Sequence, residues 1–131
     1  MIYVWLAVGG ALGTIGRYLL SGFVAGSIGE VFPWGTLLVN ISGSFLIGFI
    51  YTLTGPDGRF LVSPNIRQFM MVGLCGGYTT FSSFSLQTLN LVRDGDFYRA
   101  GMNVILSFAL CMIAVVLGHL AAAFINQIKG A

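Results

Sequence analysis

The residues best suited to chemistry form one run, residues 73–84, in which a glycine pair is followed by hydroxyl side chains and two phenylalanines. The hydroxyls belong to Tyr78, Thr79, Thr80, Ser82 and Ser83. The run lies within residues 68–92, which contain no Asp, Glu, Lys or Arg and could cross a hydrocarbon core of about 30 Å. Because lipid offers no replacement hydrogen bonds, a helix break here must be buried in protein or line a polar path. Such breaks are typical places for ion sites.

Two kinds of ion suit these residues. Hydroxyl and amide groups can donate hydrogen bonds, and phenyl rings present positive edges, so the side chains favour a small anion. Backbone carbonyls released by a helix break favour a small hard cation instead. Both ions could be bound at different atoms of the same segment.

Other polar residues recur at helical spacing. Thr36, Asn40 and Ser44 are spaced i, i+4, i+8, as are Asn103, Ser107 and Cys111, so each set shares a helix face. In the broken segment, Phe81 and Phe84 share a face. Hydrogen bonding between helices is the common role of such polar residues in membranes, and an ion path is the alternative.

Arg17 is the only charge within the first apolar run. It could reach the membrane interface by extending its side chain, or it could attract anions to a pore mouth. We expect structural roles for the histidine and the two cysteines. His119 has no acid nearby in the sequence, and Cys75 and Cys111 are expected to be buried thiols. No nucleophile–base–orienter set can be assembled, so we expect no enzyme.

These residues must be positioned by membrane helices. The chain has 131 residues, of which 56% are hydrophobic and 8% charged, whereas soluble domains have about 25% charged residues. Apolar runs predict an all-α membrane protein with four transmembrane helices, at residues 2–24, 33–54, 64–92 and 98–128. The third is expected to break near Gly76 and Gly77. We expect one domain, residues 1–131, and a first helix that is retained rather than cleaved as a signal peptide.

Charge and glycine patterns indicate how copies of the chain assemble. The net charge of +2 is scattered, which argues against a nucleic-acid partner. Basic residues divide three against two or three between the two membrane sides, so the positive-inside rule gives no orientation. Either the small numbers explain this, or copies insert both ways and pair antiparallel. Small residues, among them Gly9, Gly13 and Gly43, would let helices approach closely. Since four helices enclose little interior, we expect a homo-oligomer.

Three blocks of sequence resemble one family, the CrcB/Fluc fluoride channels. They are Gly-Thr-Ile-Gly-Arg-Tyr at 13–18, Pro-Trp-Gly-Thr-Leu-Leu-Val-Asn-Ile-Ser-Gly at 33–43, and Gly-Leu-Cys-Gly-Gly-Tyr-Thr-Thr-Phe-Ser-Ser-Phe-Ser at 73–85. The third block is the most specific, and the four-span layout matches over the whole chain. Some relatives have a tyrosine where Asn103 stands and a glutamate where Gln87 stands.

The resemblance implies an antiparallel, dual-topology homodimer in the bacterial inner membrane, with two pores that export fluoride passively. It implies a structural sodium ion at the dimer centre, held by the backbone carbonyls of Gly76 and Thr79. It also implies a fluoride path of phenyl, amide and hydroxyl groups. The expected path residues, with Thr36 and Arg17 added from their positions, are Asn40, Phe81, Phe84, Ser82, Ser83, Ser107, Thr36 and Arg17.

Two other functions have to be weighed. A transporter of the small multidrug resistance type also has four short helices and dual topology, but it would need a carboxylate in the first helix. The first acid here is Glu30, in a predicted loop. The second alternative is a structural membrane subunit with no transport of its own.

Overall fold

The structure, a computed structural model, describes residues 1–130; residue 131, the last of the predicted domain, lies outside the described residues. Its elements are α1 (Ile2–Ile28), α2 (Trp34–Leu53), α3 (Pro64–Gln68), a π-helical segment (Phe69–Cys75), α4 (Gly76–Tyr78), α5 (Phe81–Arg93) and α6 (Phe97–Gly130). No strand occurs between residues 1 and 130, which confirms the all-α prediction.

Within the described residues, three helices are long and apolar enough to cross a membrane: Ile2–Ile28, Trp34–Leu53 and Phe97–Ile128, of 27, 20 and 32 residues. At ~1.5 Å per residue, the shortest of them reaches about 30 Å. They correspond to three of the four predicted spans. The first runs four residues beyond the predicted end at 24 and stops at Gly29, whose φ of 106° favours glycine.

The third predicted span, residues 64–92, is interrupted as expected, but shortly after the glycine pair. Gly76 is helical, with φ −65° and ψ −37°, and the glycine pair belongs to α4. The chain is instead extended at Thr79, with φ −84° and ψ 158°, and at Thr80, with φ −153° and ψ 117°. The predicted break is therefore present, but its extended residues are Thr79 and Thr80 rather than the glycines. Regular α geometry gives way to π at Phe69 and is lost at Thr79 and Thr80.

Close backbone contact explains why glycines precede the break. A Cβ at Gly13 would collide with the carbonyl oxygen of Leu74 and lie 2.8 Å from the nitrogen of Tyr78. A Cβ at Gly77 would lie 2.6 Å from the oxygen of Gly10. The glycines thus let α1 pack backbone to backbone against the π segment and α4, as small residues do in membranes.

Helix α2 packs against all the others that surround the break. It contacts α1, the π segment, α4, α5 and, most extensively, α6. The contact with α6 is also close, since a Cβ at Gly118 would collide with the carbonyl oxygen of Phe45. Val39 on α2 is 0% exposed. Helix α2 therefore connects α6 to the broken segment, which itself packs mainly on α1.

Side chains close the ends of the helices next to the break. Arg67 of α3 donates from Nε to Thr54 Oγ1 (3.0 Å) and from Nη2 to the carbonyl oxygen of Tyr51 (3.0 Å), at the end of α2. Asp96 precedes α6 and accepts from the backbone nitrogen of Arg99 (3.1 Å) and from its guanidinium (2.8 Å). Its carboxylate caps α6.

Candidate functional site

The peptide of Thr80 is held by one side-chain amide. Asn40 on α2 donates from Nδ2 to the Thr80 carbonyl oxygen (3.0 Å) and accepts from the Thr80 N–H at Oδ1 (2.8 Å). Thr80 Oγ1 in turn accepts from the N–H of Ser83 (3.1 Å), which is an N-cap for α5. The N–H and C=O of Thr80 and the N–H of Ser83 are thus paired with two side chains rather than by helical hydrogen bonds, as burial away from water requires.

A second carbonyl at the break is held by α1. The Gly77 oxygen accepts from Arg17 Nε (3.2 Å) and lies 3.5 Å from Thr14 Oγ1. Arg17 is half-buried. Its guanidinium therefore lies against the broken segment, and neither role proposed from the sequence included this contact.

The two carbonyls assigned to sodium by resemblance lie on either side of Gly77. Among the described residues, no side chain donates a hydrogen bond to the oxygen of Gly76 or of Thr79. Gly76 is exposed and Thr79 half-buried. Thr79 Oγ1 instead donates to the Cys75 oxygen (2.9 Å). Two backbone acceptors are thus available at the surface of a single chain, and carbonyl oxygen is a hard ligand.

A cavity of about 490 Å³ opens beside the break, and we call it the break cavity. It collects the predicted path residues Asn40, Phe81, Phe84 and Ser107. The Phe81 and Phe84 ring centroids are 5.3 Å apart and tilted by 46°. Phe81 is 79% exposed. Phenyl rings, an amide and a hydroxyl therefore meet around one space.

A cavity of about 540 Å³ lies on the other side of Thr80, and we call it the mouth cavity. It holds three other predicted residues, Arg17, Thr36 and Ser83. Carboxylates of Glu30 and Asp94 line it as well, so its charge is mixed. Thr80 lines both cavities. The structure thus divides the predicted path into two chambers that share one residue.

Ser82 is the predicted path residue that the structure leaves apart. It is exposed, lies 3.3 Å from Thr80 Oγ1 through its Oγ, and lines neither cavity.

Sequence reasoning left out a polar chain beneath the phenylalanines. Ser107 Oγ lies 3.4 Å from Asn103 Oδ1, Asn103 Nδ2 donates to Thr88 Oγ1 (2.9 Å), and Thr88 Oγ1 donates to the Phe84 oxygen (2.8 Å). Asn103 is 2% exposed. The i, i+4 spacing of Asn103 and Ser107 was the available signal, although it did not identify Thr88 as the partner.

The structure also shows what surrounds the side chains of Gln87 and His119. Gln87 lines the mouth cavity, and its Oε1 is buried without a hydrogen-bond partner. His119 Nδ1 lies 2.7 Å from Thr52 Oγ1, so it links α6 to α2, in keeping with a structural histidine. Over the part of the chain that the structure describes, no three His, Cys, Asp or Glu residues form a metal-binding group.

Comparison with known proteins identifies the family to which the chain belongs. Residues 4–119 match the family described as CrcB-like protein, Camphor Resistance (CrcB). A protein of Opitutus terrae is 61% identical over 129 residues, covering 98% of each chain, and one of Methylocella silvestris is 59% identical over 131 residues, covering 100% of each. One of Rhodospirillum rubrum is 59% identical over 127 residues, covering 97% of this chain and 98% of the relative. All three are named fluoride-specific ion channel FluC. The chain therefore belongs to the CrcB-like family, a family of membrane ion channels rather than enzymes.

Proposed function

We propose that the protein is a fluoride-selective channel that lowers cytoplasmic fluoride by passive export. The observation that carries the proposal is the break cavity, where the amide of Asn40, the hydroxyl of Ser107 and the rings of Phe81 and Phe84 line one space. Within residues 1–128, no charged side chain lines it. An uncharged lining of donors and ring edges can hold an anion without trapping it.

The chemistry of fluoride suits this lining. Fluoride is small and strongly hydrated, so a selective path must replace water with close donors. Asn40 Nδ2 has a second N–H besides the one given to Thr80, and Phe81 and Phe84 offer positive ring edges. Larger halides need more room between the rings than fluoride does.

Direction follows from the membrane potential rather than from an energy source in the protein. A negative cell interior repels an anion by ~2.3 kcal/mol per charge per 100 mV. An open path therefore carries fluoride outward without nucleotide hydrolysis.

We further propose that the working unit is an antiparallel homodimer with two pores. Helix α5 exposes Phe81, Ser82 and Ser85 on one side, although it lies in a segment of membrane-spanning length. Exposing hydroxyl groups and unpaired carbonyl groups to lipid costs free energy. A second copy on this face would cover them and close the break cavity.

The sodium proposal depends on the same surface. The carbonyls of Gly76 and Thr79 would hold the ion, two from each copy, and the pairing across a twofold axis explains why Gly76 is exposed in one chain. When bound, sodium would be coordinated by the partial negative charges of these oxygens and would tie the two copies together. The pair Gly76 and Thr79 comes from the family resemblance, and the oxygen of Gly77 between them is faced by Thr14 and Arg17 instead.

The two alternatives receive less support. A multidrug transporter of the small type would need a carboxylate in α1, and Glu30 lies beyond the end of that helix and lines the mouth cavity instead. A purely structural subunit would not need two cavities meeting at a broken helix.

The decisive experiment is fluoride efflux from liposomes that contain only this chain, measured with a fluoride electrode after a potassium ionophore sets the potential. We expect fluoride efflux and no comparable chloride efflux. Equal rates for the two halides would contradict selectivity, and no efflux from well-folded protein would favour the structural subunit.

A further inference from the structure

A cleft between the end of α1 and the start of α6 is lined, within residues 1–128, by none of the residues expected in the fluoride path. Its volume is about 320 Å³. Over the described residues the backbones of α1 and α6 do not contact each other, although each contacts α2. We call this gap the outer cleft, and its lining includes Ile28, Trp34, Tyr98, Arg99, Met102 and Leu106.

The outer cleft crosses the boundary between water and hydrocarbon. Helix α1 ends beside it, and α2 and α6 begin beside it, so it opens at one surface of the membrane. Trp34 and Tyr98 are of the residue types enriched at that surface. Leu106 follows Arg99 by seven residues on the same helix, so at ~1.5 Å per residue the cleft reaches about 10 Å further into the membrane.

The lining changes from charged to apolar along this depth. Within residues 1–128, Arg99 is the one charged residue that lines the cleft, and its side chain is 48% exposed. Deeper along α6 the lining consists of Met102 and Leu106. A cation above an apolar slot is complementary to a molecule that carries a negative group at one end and a hydrocarbon chain at the other.

The guanidinium of Arg99 has donors left for such a group. It donates from Nη1 to Asp96 Oδ2 (2.8 Å), and in the described residues no other group accepts a hydrogen bond from it. An arginine carries five N–H donors, in a planar fork that matches the oxygens of a phosphate. The bond to Asp96 uses one of them, so the remaining donors suit one phosphate group.

We propose that the outer cleft binds one phospholipid molecule. Its phosphate accepts hydrogen bonds from Arg99, and one of its acyl chains lies against Met102 and Leu106. Because zwitterionic and anionic phospholipids both carry this phosphate, both classes bind. In the proposed antiparallel dimer the two clefts open towards opposite leaflets, and recognition through the phosphate works in either leaflet.

Native mass spectrometry of the full-length protein in detergent measures this binding. We expect one bound lipid per chain when palmitoyl-oleoyl phosphatidylglycerol or phosphatidylethanolamine is added. Palmitoyl-oleoyl glycerol, which has the same chains but no phosphate, should not be retained. Arg99→Gln should raise the phospholipid Kd about tenfold, the effect of losing a charge-assisted hydrogen bond. Arg93→Gln removes an exposed arginine outside the cleft and should leave the Kd unchanged.

A second variant tests the apolar part of the cleft without changing its charge. Leu106→Trp fills the slot with a larger side chain and should prevent retention of the lipid. Ile113→Trp adds the same ring on an exposed face of α6, outside the cleft, and should retain the lipid. Circular dichroism and gel filtration identify a variant that misfolds, and the other variant then decides.

Fluorescence in a bilayer distinguishes a bound lipid from the ordinary lipid around any membrane protein. The chain has two tryptophans, so Trp5→Phe leaves Trp34, in the cleft, as the only one. In bilayers of digalactosyl diacylglycerol, which has no phosphate, phosphatidylglycerol brominated in its acyl chains should quench Trp34 to saturation at a low mole fraction. Quenching in simple proportion to the mole fraction, or unchanged saturation after Arg99→Gln, would overturn the site.

Two results of the mass spectrometry would also overturn it. Equal retention of palmitoyl-oleoyl glycerol would mean that the phosphate is not recognised. Failure of the folded, unaltered protein to retain either phospholipid would mean that no lipid fills the cleft. None of these measurements uses fluoride flux, so the lipid site and the proposed function are tested separately.

Discussion

At the scale of single residues, the two hydrogen bonds between Asn40 and Thr80 are the most informative contacts. They connect positions 40 residues apart in the sequence, and each is worth about 0.5–1.5 kcal/mol net. Asn40 was expected to contact the ion. The structure also gives it the task of holding the Thr80 peptide, and its second N–H remains available for an anion.

The change Asn40→Asp should therefore stop fluoride flux for two reasons. A carboxylate can still accept from the Thr80 N–H, but it cannot donate to the Thr80 oxygen, and its charge would repel an anion. Efflux from liposomes measures the effect. Asn65→Asp makes the same chemical change outside both cavities and should retain flux. Normal flux in Asn40→Asp would remove this residue from the path.

Substituting isoleucine for each phenylalanine tests the contribution of the ring edges separately from that of the side-chain volume. Phe81→Ile and Phe84→Ile keep apolar volume near the cavity but lose the positive ring edges. Each should cut fluoride efflux at least about tenfold, since removal of a placed donor typically costs that much or more. Phe124→Ile, on an exposed part of α6 away from the break cavity, is the matched control. Efflux equal to the control in both variants would argue against the phenylalanines.

At the scale of elements, an added methyl group on α1 should disturb its contact with the π segment and α4 at Gly13 but not at Gly10. Gly13→Ala places a Cβ against the backbone of Leu74, and such overpacking costs about 1–3 kcal/mol. A Cβ at Gly10 meets nothing within 4 Å, so Gly10→Ala should be neutral or slightly stabilising. Thermal unfolding in detergent compares the two. Equal melting temperatures would mean that α1 does not pack backbone to backbone there.

The cap of α6 should give a pH dependence. The side-chain hydrogen bond from Arg99 lowers the pKa of Asp96, with the backbone N–H of Arg99 adding to the effect. A lowered pKa means stabilisation that is present at neutral pH and lost as the pH falls through the folded-state value. Asp96→Asn can still cap the helix and should show a smaller loss of melting temperature in acid. Asp57→Asn, in a loop, is the matched control for the change of residue type.

The sequence predicted these elements unevenly, for physical reasons. Three helices follow directly from long apolar runs. The position of the break does not, because both glycines stay helical and Gly77 serves close packing against α1. The extended conformation at Thr80 is instead held by Asn40 on another helix. Helical periodicity identifies residues that share a face, but it does not reveal pairings between helices such as Asn103 with Thr88.

At the scale of the whole molecule, the features of one chain make most sense beside a second copy. The two ion sites that we propose lie next to one short extended piece of backbone: the carbonyls of Gly76 and Thr79 for sodium, and side-chain donors from Asn40 to Phe84 for fluoride. Both face surfaces that a partner would cover, which a sequence alone could suggest only by resemblance.

Removal of sodium should therefore weaken the dimer before it changes the fold of each chain. Replacing sodium by a large organic cation that cannot fit between carbonyls should lower the melting temperature and shift the protein toward monomer, measured by gel filtration with light scattering. Potassium serves as the control for ionic strength. A dimer of unchanged stability in the sodium-free buffer would contradict a structural sodium ion.

The pairing of Asn40 with Thr80 has one more consequence. Asn40 pairs with both the C=O and the N–H of one residue, as the facing residue of an antiparallel β-strand does, although no strand lies next to Thr80 in the described residues. The Thr80 amide proton should consequently exchange with deuterium as slowly as protons in the middle of α2, although it lies outside every helix. Its exchange rate would report directly how often the two halves of the broken helix move apart.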